Sequence, residues 1–366
     1  MAPSRSTDLR FMEKAVELAN RAVGDTSPNP PVGCVLVKDD RIVAEGWHKR
    51  AGEAHAEVDA LAKLETPSKG CTAYVTLEPC SISGRTGPCS QALIDADVER
   101  VVVGVLDPNP KVNGNGIAAL RNAGIKVETG VLESECRQLI AAFTTWITLG
   151  RPLVTLKIAS SLDGRIATES GHSQWVTGES ARMRVHQMRD QMDAILVGAQ
   201  TVRADNPSLT ARLGDGPSRH PVRIILSNSL NLPTHSKIFD KQAPTLVFTT
   251  NNEPTELERD GVEVIRIEGG DSGVSMAAML QILGKRQLTS LLVEGGQNVA
   301  TALLKQELVD RICCFVSPKV IGGDGIGWAG PLAFRTMDEV ITLSHLEICQ
   351  LGDDLCIEGN CVYGNS

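Results

Sequence analysis

A histidine and two cysteines that lie far apart along the chain place the strongest constraint on how this sequence folds. His55 stands in a His-Ala-Glu triplet, Cys80 follows Pro79 at the end of an apolar run, and Cys89 comes after a loop. One imidazole and two thiolates form a nitrogen and sulfur set that suits zinc and leaves a fourth coordination position for water. The spacing therefore predicts a fold in which a strand end and the start of a helix bring these three side chains together.

Glu57 follows the histidine by two residues and is placed to carry protons for a metal-bound water. The order His-x-Glu, Pro-Cys and a second Cys has the form of the zinc deaminase signature, although eight residues separate Cys80 from Cys89 where the common signature has two. Because zinc lowers the pKa of bound water to about 7, Glu57 could take the water proton, protonate a ring nitrogen and deliver a further proton to departing ammonia. A structural zinc site is the alternative, but such a site normally has a fourth protein ligand and has no need of Glu57.

Hydrophobic periodicity predicts how the segments around these ligands fold. Apolar residues at helical spacing predict a helix over 8–23, and apolar runs at 32–37 and 42–45 predict a hairpin. A helix over 53–64 contains the His-Ala-Glu triplet, and a strand over 72–77 ends just before Cys80. The later segments alternate, with helices near 89–96, 116–123 and 133–143 and strands over 100–105 and 126–129. This alternation predicts an α/β layered domain with a largely parallel sheet.

The pattern of segments starts again after residue 150. Gly150, Arg151 and Pro152 lie between a predicted helix and a new apolar strand over 153–159, which is typical of a domain boundary. A chain of 366 residues is also too long for one ordinary domain. We therefore predict two domains, residues 1–150 and residues 151–366. The strands predicted in the second domain are 193–197, 222–226, 245–249, 262–267, 291–293 and 311–316, and the helices are 179–191, 275–283 and 298–306, before a C-terminal hairpin.

Charge and composition argue against two kinds of partner. The formal net charge of -8 leaves no basic surplus for the phosphates of a nucleic acid, and aromatic residues, at 3%, are too few for a base-stacking platform. The N-terminus is polar, no apolar segment has the length of a membrane span, and the ten scattered cysteines do not form the framework of a small secreted domain. We expect a cytoplasmic homo-oligomer that acts on a small molecule, with neither nucleic acid nor membrane as a partner.

Four short motifs in the second half have the form of ligand-binding segments. They lie at 157–165, 173–177, 201–212 and 293–298. The last contains a Glu-Gly-Gly turn between a strand and a helix, where backbone N–H groups can bind a phosphate, although a tight connection without a ligand has the same residues. No Gly-x-Gly-x-x-Gly motif stands in a βαβ context, so an ordinary Rossmann dinucleotide site is not predicted.

The residues around the predicted zinc ligands indicate which family of zinc deaminases the chain resembles. The segments at 27–33, 45–48, 51–58, 74–80 and 84–89 closely resemble the deaminase half of the bifunctional riboflavin-biosynthesis deaminase/reductase, a family in which the long cysteine spacing is normal. The resemblance implies a cytidine-deaminase-like domain in which His55, Cys80 and Cys89 hold zinc and Glu57 carries protons.

The same resemblance implies a substrate site and contains one departure from the family pattern. Asn29, His48 and Arg85 would contact a pyrimidine ribosyl phosphate. The family usually has His two residues after the first Cys and Pro-Pro before the second, where this chain has Ile82 and Gly87-Pro88. If that histidine helps to hold the substrate phosphate, this chain either compensates for its loss or binds more weakly.

The motifs of the second half together resemble the reductase half of the same family, in the same order from about residue 153 to the C-terminus. The resemblance implies a dihydrofolate-reductase-like fold that uses NADPH. The implied NADPH site consists of Ala159, Trp175, Thr201, Asp205, Ser227, Gly296, Gln297, Asn298, Val299, Ala300, Thr301 and Ala302. The implied substrate site consists of Ser173, Arg189, Leu209, Arg212 and Glu294, and the two arginines suit its phosphate.

The resemblance implies two consecutive reactions on one chain. A diaminopyrimidinone ribosylamino phosphate would lose an amino group at zinc, and its ribosyl group would then accept hydride from NADPH to become ribityl. Lys157 and Asp205 are the charged residues expected near the carbon that receives hydride, and either could donate the proton. Two alternatives stay open: a deaminase of another pyrimidine or of a tRNA base fused to an unrelated reductase, and a non-catalytic binding protein with structural zinc.

Overall fold

The computed structural model describes residues 5–82, 87–214, 218–270 and 273–364. The chain divides into two units, Met1–Gly150 and Arg151–Ser366, and each is built on its own main sheet. Helices pack on both faces of each main sheet, so the predicted α/β class is confirmed. Within the described residues, no helix is both long enough and apolar enough to cross a membrane.

Helices and strands alternate along most of the first unit. In chain order they are α1 (Arg5–Asn20), β1 (Gly33–Lys38), β2 (Arg41–Trp47), α2 (Ala56–Ala62), β3 (Thr72–Leu77), α3 (Cys89–Asp95), β4 (Arg100–Val105), α4 (Asn115–Asn122), β5 (Lys126–Thr129), α5 (Glu133–Leu139) and α6 (Ala141–Leu149). The predicted helix at 53–64 begins only at Ala56, because His55 has an extended backbone and stands as its N-cap. The single helix predicted over 133–143 is two helices, because the backbone at Ile140 departs from helical geometry.

The first sheet has the order β2-β1-β3-β4-β5 in the described part of the chain. Strand β1 is antiparallel to both neighbours, whereas β3, β4 and β5 are parallel, so the sheet is more mixed than predicted. Because side chains of a strand alternate between faces, Cys34 and Leu36 pack in the core formed with α2, α3 and α4. Val35 and Val37 pack in the core on the opposite face, formed with α1 and α5.

Gly46 on β2 brings α2 into close contact with the sheet. A Cβ atom at this position would collide with the carbonyl oxygen of Ala56 and with the backbone nitrogen of Ala60. Only glycine leaves room for this approach. Since His55 and Glu57 lie at the start of α2, the contact fixes where both side chains stand relative to the end of the neighbouring strands.

A buried ion pair joins α1 to the sheet. Two nitrogens of Arg100, on β4, donate to the two carboxylate oxygens of Asp8 at 2.8 and 2.7 Å, and the Tyr74 hydroxyl donates to Asp8 at 2.7 Å. The side chains of Asp8 and Arg100 are only 6% and 8% exposed. Burial acts to raise the pKa of Asp8, but the hydrogen bonds from Arg100 and Tyr74 hold it below its usual value. The carboxylate is therefore charged and fully bonded in the folded unit.

The second unit repeats the alternation of strands and helices. Its elements are β6 (Leu153–Ser161), β7 (Arg165–Ala167), α7 (Glu179–Gln191), β8 (Ala194–Gly198), α8 (Ala199–Asp205), β9 (Val222–Leu226), β10 (Thr245–Thr249), β11 (Val262–Arg266), β12 (Gly269–Gly270), β13 (Gly273–Val274), α9 (Met276–Lys285), β14 (Ser290–Val293), α10 (Gln297–Lys305), β15 (Arg311–Ser317), β16 (Ile326–Gly327), β17 (Thr342–Leu351) and β18 (Asp354–Val362). Helix α8, which follows β8 directly, was not predicted.

The main sheet of the second unit has the order β11-β10-β9-β8-β14-β6-β15-β18-β17 among the described residues. In this order, each strand from β11 at the edge to β15 runs parallel to its neighbours among these seven strands. Strands β18 and β17 form an antiparallel hairpin at the other edge, where β18 pairs with β15. Helices α9 and α10 cover one face, and α7 covers the other. Ligands of such sheets bind outside the carboxyl ends of the parallel strands, which here lead into Ser227 after β9 and Glu294 after β14.

Candidate active sites

Three side chains in the first unit form a group that suits a metal ion. The Nδ1 atom of His55 lies 3.2 Å from the Sγ atom of Cys89 and 3.7 Å from that of Cys80, and all three donor atoms lie within 4.8 Å of one another. Donors of a tetrahedral zinc site, with bonds of about 2.0–2.3 Å, lie about 3.5–3.8 Å apart. The donor set and its spacing therefore fit zinc.

The ends of regular elements hold these three ligands in place. His55 is the N-cap of α2, Cys80 follows β3, and Cys89 is the first residue of α3. The backbone N–H of Cys89 donates to the Cys80 sulfur at 3.4 Å. Hydrogen bonds from Cys89 and from His55 lower the pKa of Cys80 below the usual value of a thiol, although burial opposes the shift. Cys80 thus readily supplies the thiolate form that binds a metal.

Glu78 fixes the turn that carries Cys80. Its side chain is buried, and its two carboxylate oxygens accept hydrogen bonds of 3.0–3.3 Å from four backbone N–H groups. The donors are Asp107, Gly114, Gly116 and Ile117, which belong to the β4–α4 connection and the start of α4. The role of this residue could not be predicted from its motif, because the four donors lie far from it along the chain.

Glu57 lies beside the ligand group and is only 3% exposed. It is the second residue of α2, and burial raises its pKa to about 7, with the Cys80 thiolate adding to the effect. A carboxyl group with a pKa near 7 can both take up and release a proton at neutral pH. Its position and its protonation behaviour are those required of a proton carrier.

Two of the residues expected to bind substrate lie next to the ligand group. The His48 ring packs edge-on against the His55 ring, with 5.2 Å between centroids. Burial lowers the pKa of His48, which keeps its ring neutral. The ring Nδ1 lies 3.0 Å from the Ala54 carbonyl oxygen and donates to it, so Nε2 accepts from the Asn29 amide nitrogen at 3.0 Å. Arg85, the third expected residue, lies outside the described residues, and Ile82 is 42% exposed.

Asp107 is a further candidate that the sequence analysis missed. It lies just after β4 and is buried. Burial, together with the nearby charges of Glu78 and Cys80, raises its pKa to about 6. The signal in the sequence is Asp107-Pro-Asn-Pro110, a polar turn at the carboxyl end of a buried strand.

The second unit contains a large cavity of about 1470 Å³. Small-molecule pockets usually have about 300–1,000 Å³, so this cavity has room for a dinucleotide and a second ligand. Every residue predicted for the reductase site lines it. These are Lys157, Ala159, Ser173, Trp175, Arg189, Thr201, Asp205, Leu209, Arg212, Ser227, Glu294, Gly296, Gln297, Asn298, Val299, Ala300, Thr301 and Ala302.

The N-terminus of α10 lies at this cavity. Gly296 is the N-cap, and residues 297–302 are the first residues of the nine-residue helix. Unpaired N–H groups at such a helix start favour anions. The Glu-Gly-Gly turn therefore lies where it could bind a phosphate of a dinucleotide, and this site fits the NADPH implied by the sequence.

A buried ion pair lies on the cavity wall. Two nitrogens of Arg189 lie 2.7 and 2.9 Å from the carboxylate oxygens of Glu294, and the Lys157 ammonium lies 3.8 Å away. Burial acts to raise the pKa of Glu294, but the charges of Arg189 and Lys157 lower it to about 2. Glu294 is therefore ionised at neutral pH, and it already neutralises one of the two arginines expected to bind phosphate. Arg212, the other, is exposed and has His186 as a neighbour at 3.4 Å.

A second group of possible metal donors among the described residues consists of Cys313, Cys356 and Glu358. The two sulfurs are 3.8 Å apart, but both thiols are buried in the apolar core beneath α7. The Glu358 carboxylate pairs with Arg184 at 3.3 Å and with Arg311 at 2.9 Å. Two cations already occupy the carboxylate, so we assign no metal to this group.

Comparison with known proteins identifies both units. Residues 5–105 match the family model of the cytidine and deoxycytidylate deaminase zinc-binding region, and residues 152–357 match that of the RibD C-terminal domain. The predicted fold classes, cytidine-deaminase-like for the first unit and dihydrofolate-reductase-like for the second, are confirmed.

Relatives match over nearly the whole chain. The riboflavin biosynthesis protein RibD of Aquifex aeolicus is 42% identical, over 96% of this chain and 98% of its own length. The structure of Acinetobacter baumannii RibD has a TM-score of 0.88 at 37% identity and covers 98% of this chain and 100% of its own. The structure of a diaminohydroxyphosphoribosylaminopyrimidine deaminase/5-amino-6-(5-phosphoribosylamino)uracil reductase from Thermotoga maritima has a TM-score of 0.87 at 37% identity, with 98% and 99% covered. The chain therefore belongs to the RibD family of riboflavin biosynthesis proteins.

Proposed function

We propose that this chain is a bifunctional enzyme of riboflavin biosynthesis that uses zinc and NADPH. The first unit removes an amino group from a diaminopyrimidinone ribosylamino phosphate by hydrolysis, and the second reduces the ribosyl group of the product to ribityl. The observation that supports this proposal most directly is the buried Glu57 side chain beside the metal donors His55, Cys80 and Cys89. A structural metal site does not require a carboxyl group at this position. The name of the Thermotoga relative gives both a deaminase and a reductase activity, and that of the Aquifex relative gives riboflavin biosynthesis, so both support the proposal.

In the first unit, His55, Cys80 and Cys89 would hold zinc, and Glu57 would move protons. Zinc supplies a water molecule whose pKa is close to neutral. The Glu57 carboxylate would take one proton from this water and deliver it to the pyrimidine ring nitrogen. It would then take the second proton from the hydroxyl group added to the ring carbon and pass it to the amino group, which leaves as ammonia while the carbonyl forms. Burial raises its pKa above the usual range of a carboxyl group, which favours uptake of a proton from the water and its later release.

Asn29 and His48 would orient the pyrimidine. The neutral His48 ring fixes the Asn29 side-chain amide through its Nε2 atom, so the Asn29 amide oxygen is left to accept a hydrogen bond from substrate. We propose that Arg85 contacts the ribosyl phosphate, as its place in the family motif suggests. Asp107, which lies close enough to Cys80 to feel its charge, would bind a hydroxyl or amino group of the substrate.

In the second unit, the cavity at the carboxyl ends of the parallel strands would hold NADPH beside the sugar. NADPH supplies the hydride. The start of α10 would bind a cofactor phosphate, together with Thr201 and Ser227. The ionised Glu294 would accept hydrogen bonds from sugar hydroxyls, and Arg212 would bind the substrate phosphate. Lys157 and Asp205 are the two candidates for the group that donates a proton to the sugar oxygen.

Replacing Lys157 by methionine should separate the two reactions. Methionine keeps the length of the side chain but has no charge and no proton to donate. If Lys157 is the proton donor, NADPH oxidation with the deaminated substrate should fall at least about 100-fold, and a smaller loss would assign this role to Asp205. Ammonia release should stay within about twofold of wild type, because the deaminase residues lie in the other unit. The Lys241→Met variant, which removes an exposed lysine that pairs with Asp260, is the control. Loss of both activities in a folded Lys157→Met protein would contradict two independent sites.

We further propose that the protein is a cytoplasmic homo-oligomer. All ten cysteines, each among the described residues, are free thiols, which suits a reducing compartment. Strand β17 forms an edge of the main sheet of the second unit, and its Leu346 and Ile348 side chains are 54% and 65% exposed. An exposed apolar sheet edge is a common place for a second copy of a chain to bind.

A further inference from the structure

The segment that carries Trp175 lies on the wall of the reductase cavity. It runs from Ser173 to Gly178, between β7 and α7, and lines the cavity up to Thr177. The Trp175 side chain is 63% exposed, so it is not a core aromatic. A side chain this exposed is fixed by its neighbours only if specific contacts hold its backbone and its ring.

Lys319 supplies the backbone contact. It lies just after β15, is exposed, and is not among the residues that line the cavity. Its ammonium group donates to the carbonyl oxygen of Trp175 at 2.7 Å and to that of Val176 at 3.0 Å. Hydrogen bonds from a charged donor are about twice as strong as those between neutral groups, so one side chain fixes two successive peptide groups of the segment.

The backbone around Lys319 is itself held to the turn that follows β6. The N–H of Leu162 donates to the carbonyl oxygen of Lys319 at 2.8 Å. Asp163 accepts from the N–H groups of Ile321 and Gly322 at 3.0 and 2.7 Å. Because β6 lies within the main sheet, this chain of hydrogen bonds connects the Trp175 segment to a rigid part of the unit.

Arg182 and Asp354 hold the other side of the segment. The Arg182 guanidinium lies 4.6 Å from the centroid of the Trp175 ring, and its Nη1 atom donates to the carbonyl oxygen of Thr177 at 3.0 Å. The N–H of Gly178 donates to the buried Asp354 carboxylate at 2.6 Å. A cation over one face of an indole is favourable and fixes the ring plane.

We infer that Lys319 is a positioning residue for the reductase. It holds the Trp175 backbone so that the indole, with Arg182 on one face, forms a preformed wall for a planar ring of NADPH. A wall that is ordered before binding removes the free-energy cost of ordering it when the cofactor arrives. This inference rests on the proposed reductase function and adds a residue that never touches the cofactor.

Kinetics of the full-length protein test the inference. Lys319→Met should raise the KM for NADPH about tenfold and leave kcat within about twofold, because the wall is disordered but the reacting groups are unchanged. Lys319→Arg keeps a charged donor and should recover most of the loss. Lys241→Met should behave as wild type. A Lys319→Met protein with the wild-type KM, or with a reduced kcat and an unchanged KM, would overturn the inference.

The same substitution in a Trp175→Ala protein distinguishes a positioning role of Lys319 from a general loss of stability. If Lys319 acts through the indole, Lys319→Met should change the KM less than twofold in a Trp175→Ala protein, because coupled residues are not additive. A tenfold effect that persists in that background would show that Lys319 acts elsewhere. Calorimetric NADPH binding measures the same effects without turnover. Wild-type protein that binds NADPH but reduces nothing would refute the proposed reaction alone, and wild-type protein that does not bind NADPH would refute both.

Discussion

Replacing Glu57 by glutamine is expected to abolish ammonia release while zinc stays bound. Glutamine keeps the shape of the side chain but cannot take up the water proton, and removal of a general acid–base group lowers rates by about 10²–10⁴-fold. The loss should be at the upper end, because the 3%-exposed side chain leaves no room for bulk water to replace it. Ammonia release measured with a coupled assay and zinc measured by mass spectrometry on the same samples give the two values.

The control for this variant is Glu65→Gln, an exposed carboxylate just beyond α2 that should change neither value. Glu57→Gln protein that still releases ammonia at more than a tenth of the wild-type rate would exclude Glu57 as the proton carrier. A variant that loses its zinc along with its activity would place Glu57 in the metal site instead. The predicted result, inactive protein with one zinc at this site, distinguishes the catalytic account from a structural one.

Replacing Arg100 by methionine is expected to destabilise the first unit by about 3–5 kcal/mol, because it leaves the buried Asp8 carboxylate without its cation. Of the hydrogen bonds that Asp8 now accepts from Arg100 and Tyr74, only the one from the Tyr74 hydroxyl would remain. The free energy of unfolding of a protein domain is only about 5–15 kcal/mol. A loss of this size should therefore lower the melting temperature of the first unit markedly. Hydrogen exchange of the β3 and β4 amides reports on this unit alone.

Glu128→Gln is the matched control for the ion pair. Its carboxylate also bonds to Arg100, at 3.0 Å from Nε, but its side chain is 56% exposed. An exposed partner contributes about 0–1 kcal/mol, so exchange in β3 and β4 should barely change. Equal effects of the Arg100 and Glu128 variants would mean that burial of the Asp8 charge does not determine the stability of this unit.

The sequence could predict which residues lie together in the two candidate sites, because each of them belongs to a short motif. His55, Glu57 and Cys80 lie at the ends of regular elements, where strand and helix signals are strong, and the long gap before Cys89 agreed with one family. The reductase residues come from motifs that stand in a fixed order along the chain, and all of them line one cavity.

The contacts that support these residues could not be predicted, because they join positions far apart in the chain. Glu78 binds backbone groups up to 39 residues away, Arg189 pairs with Glu294 across 105 residues, and Lys319 reaches Trp175 across 144. Hydrophobic periodicity contains no information on such pairs. For the same reason it did not show that Glu294 already neutralises Arg189, a fact that leaves Arg212 as the better candidate for the substrate phosphate.

The most direct test of the account is to give the wild-type protein the diaminopyrimidinone ribosylamino phosphate and identify the products. Without NADPH, the account predicts one equivalent of ammonia and an aminouracil that still carries the ribosyl group. With NADPH, it predicts the ribityl product and one equivalent of oxidised cofactor. Ammonia release without any NADPH oxidation, or reduction of the substrate while both amino groups are still present, would contradict two consecutive reactions on one chain.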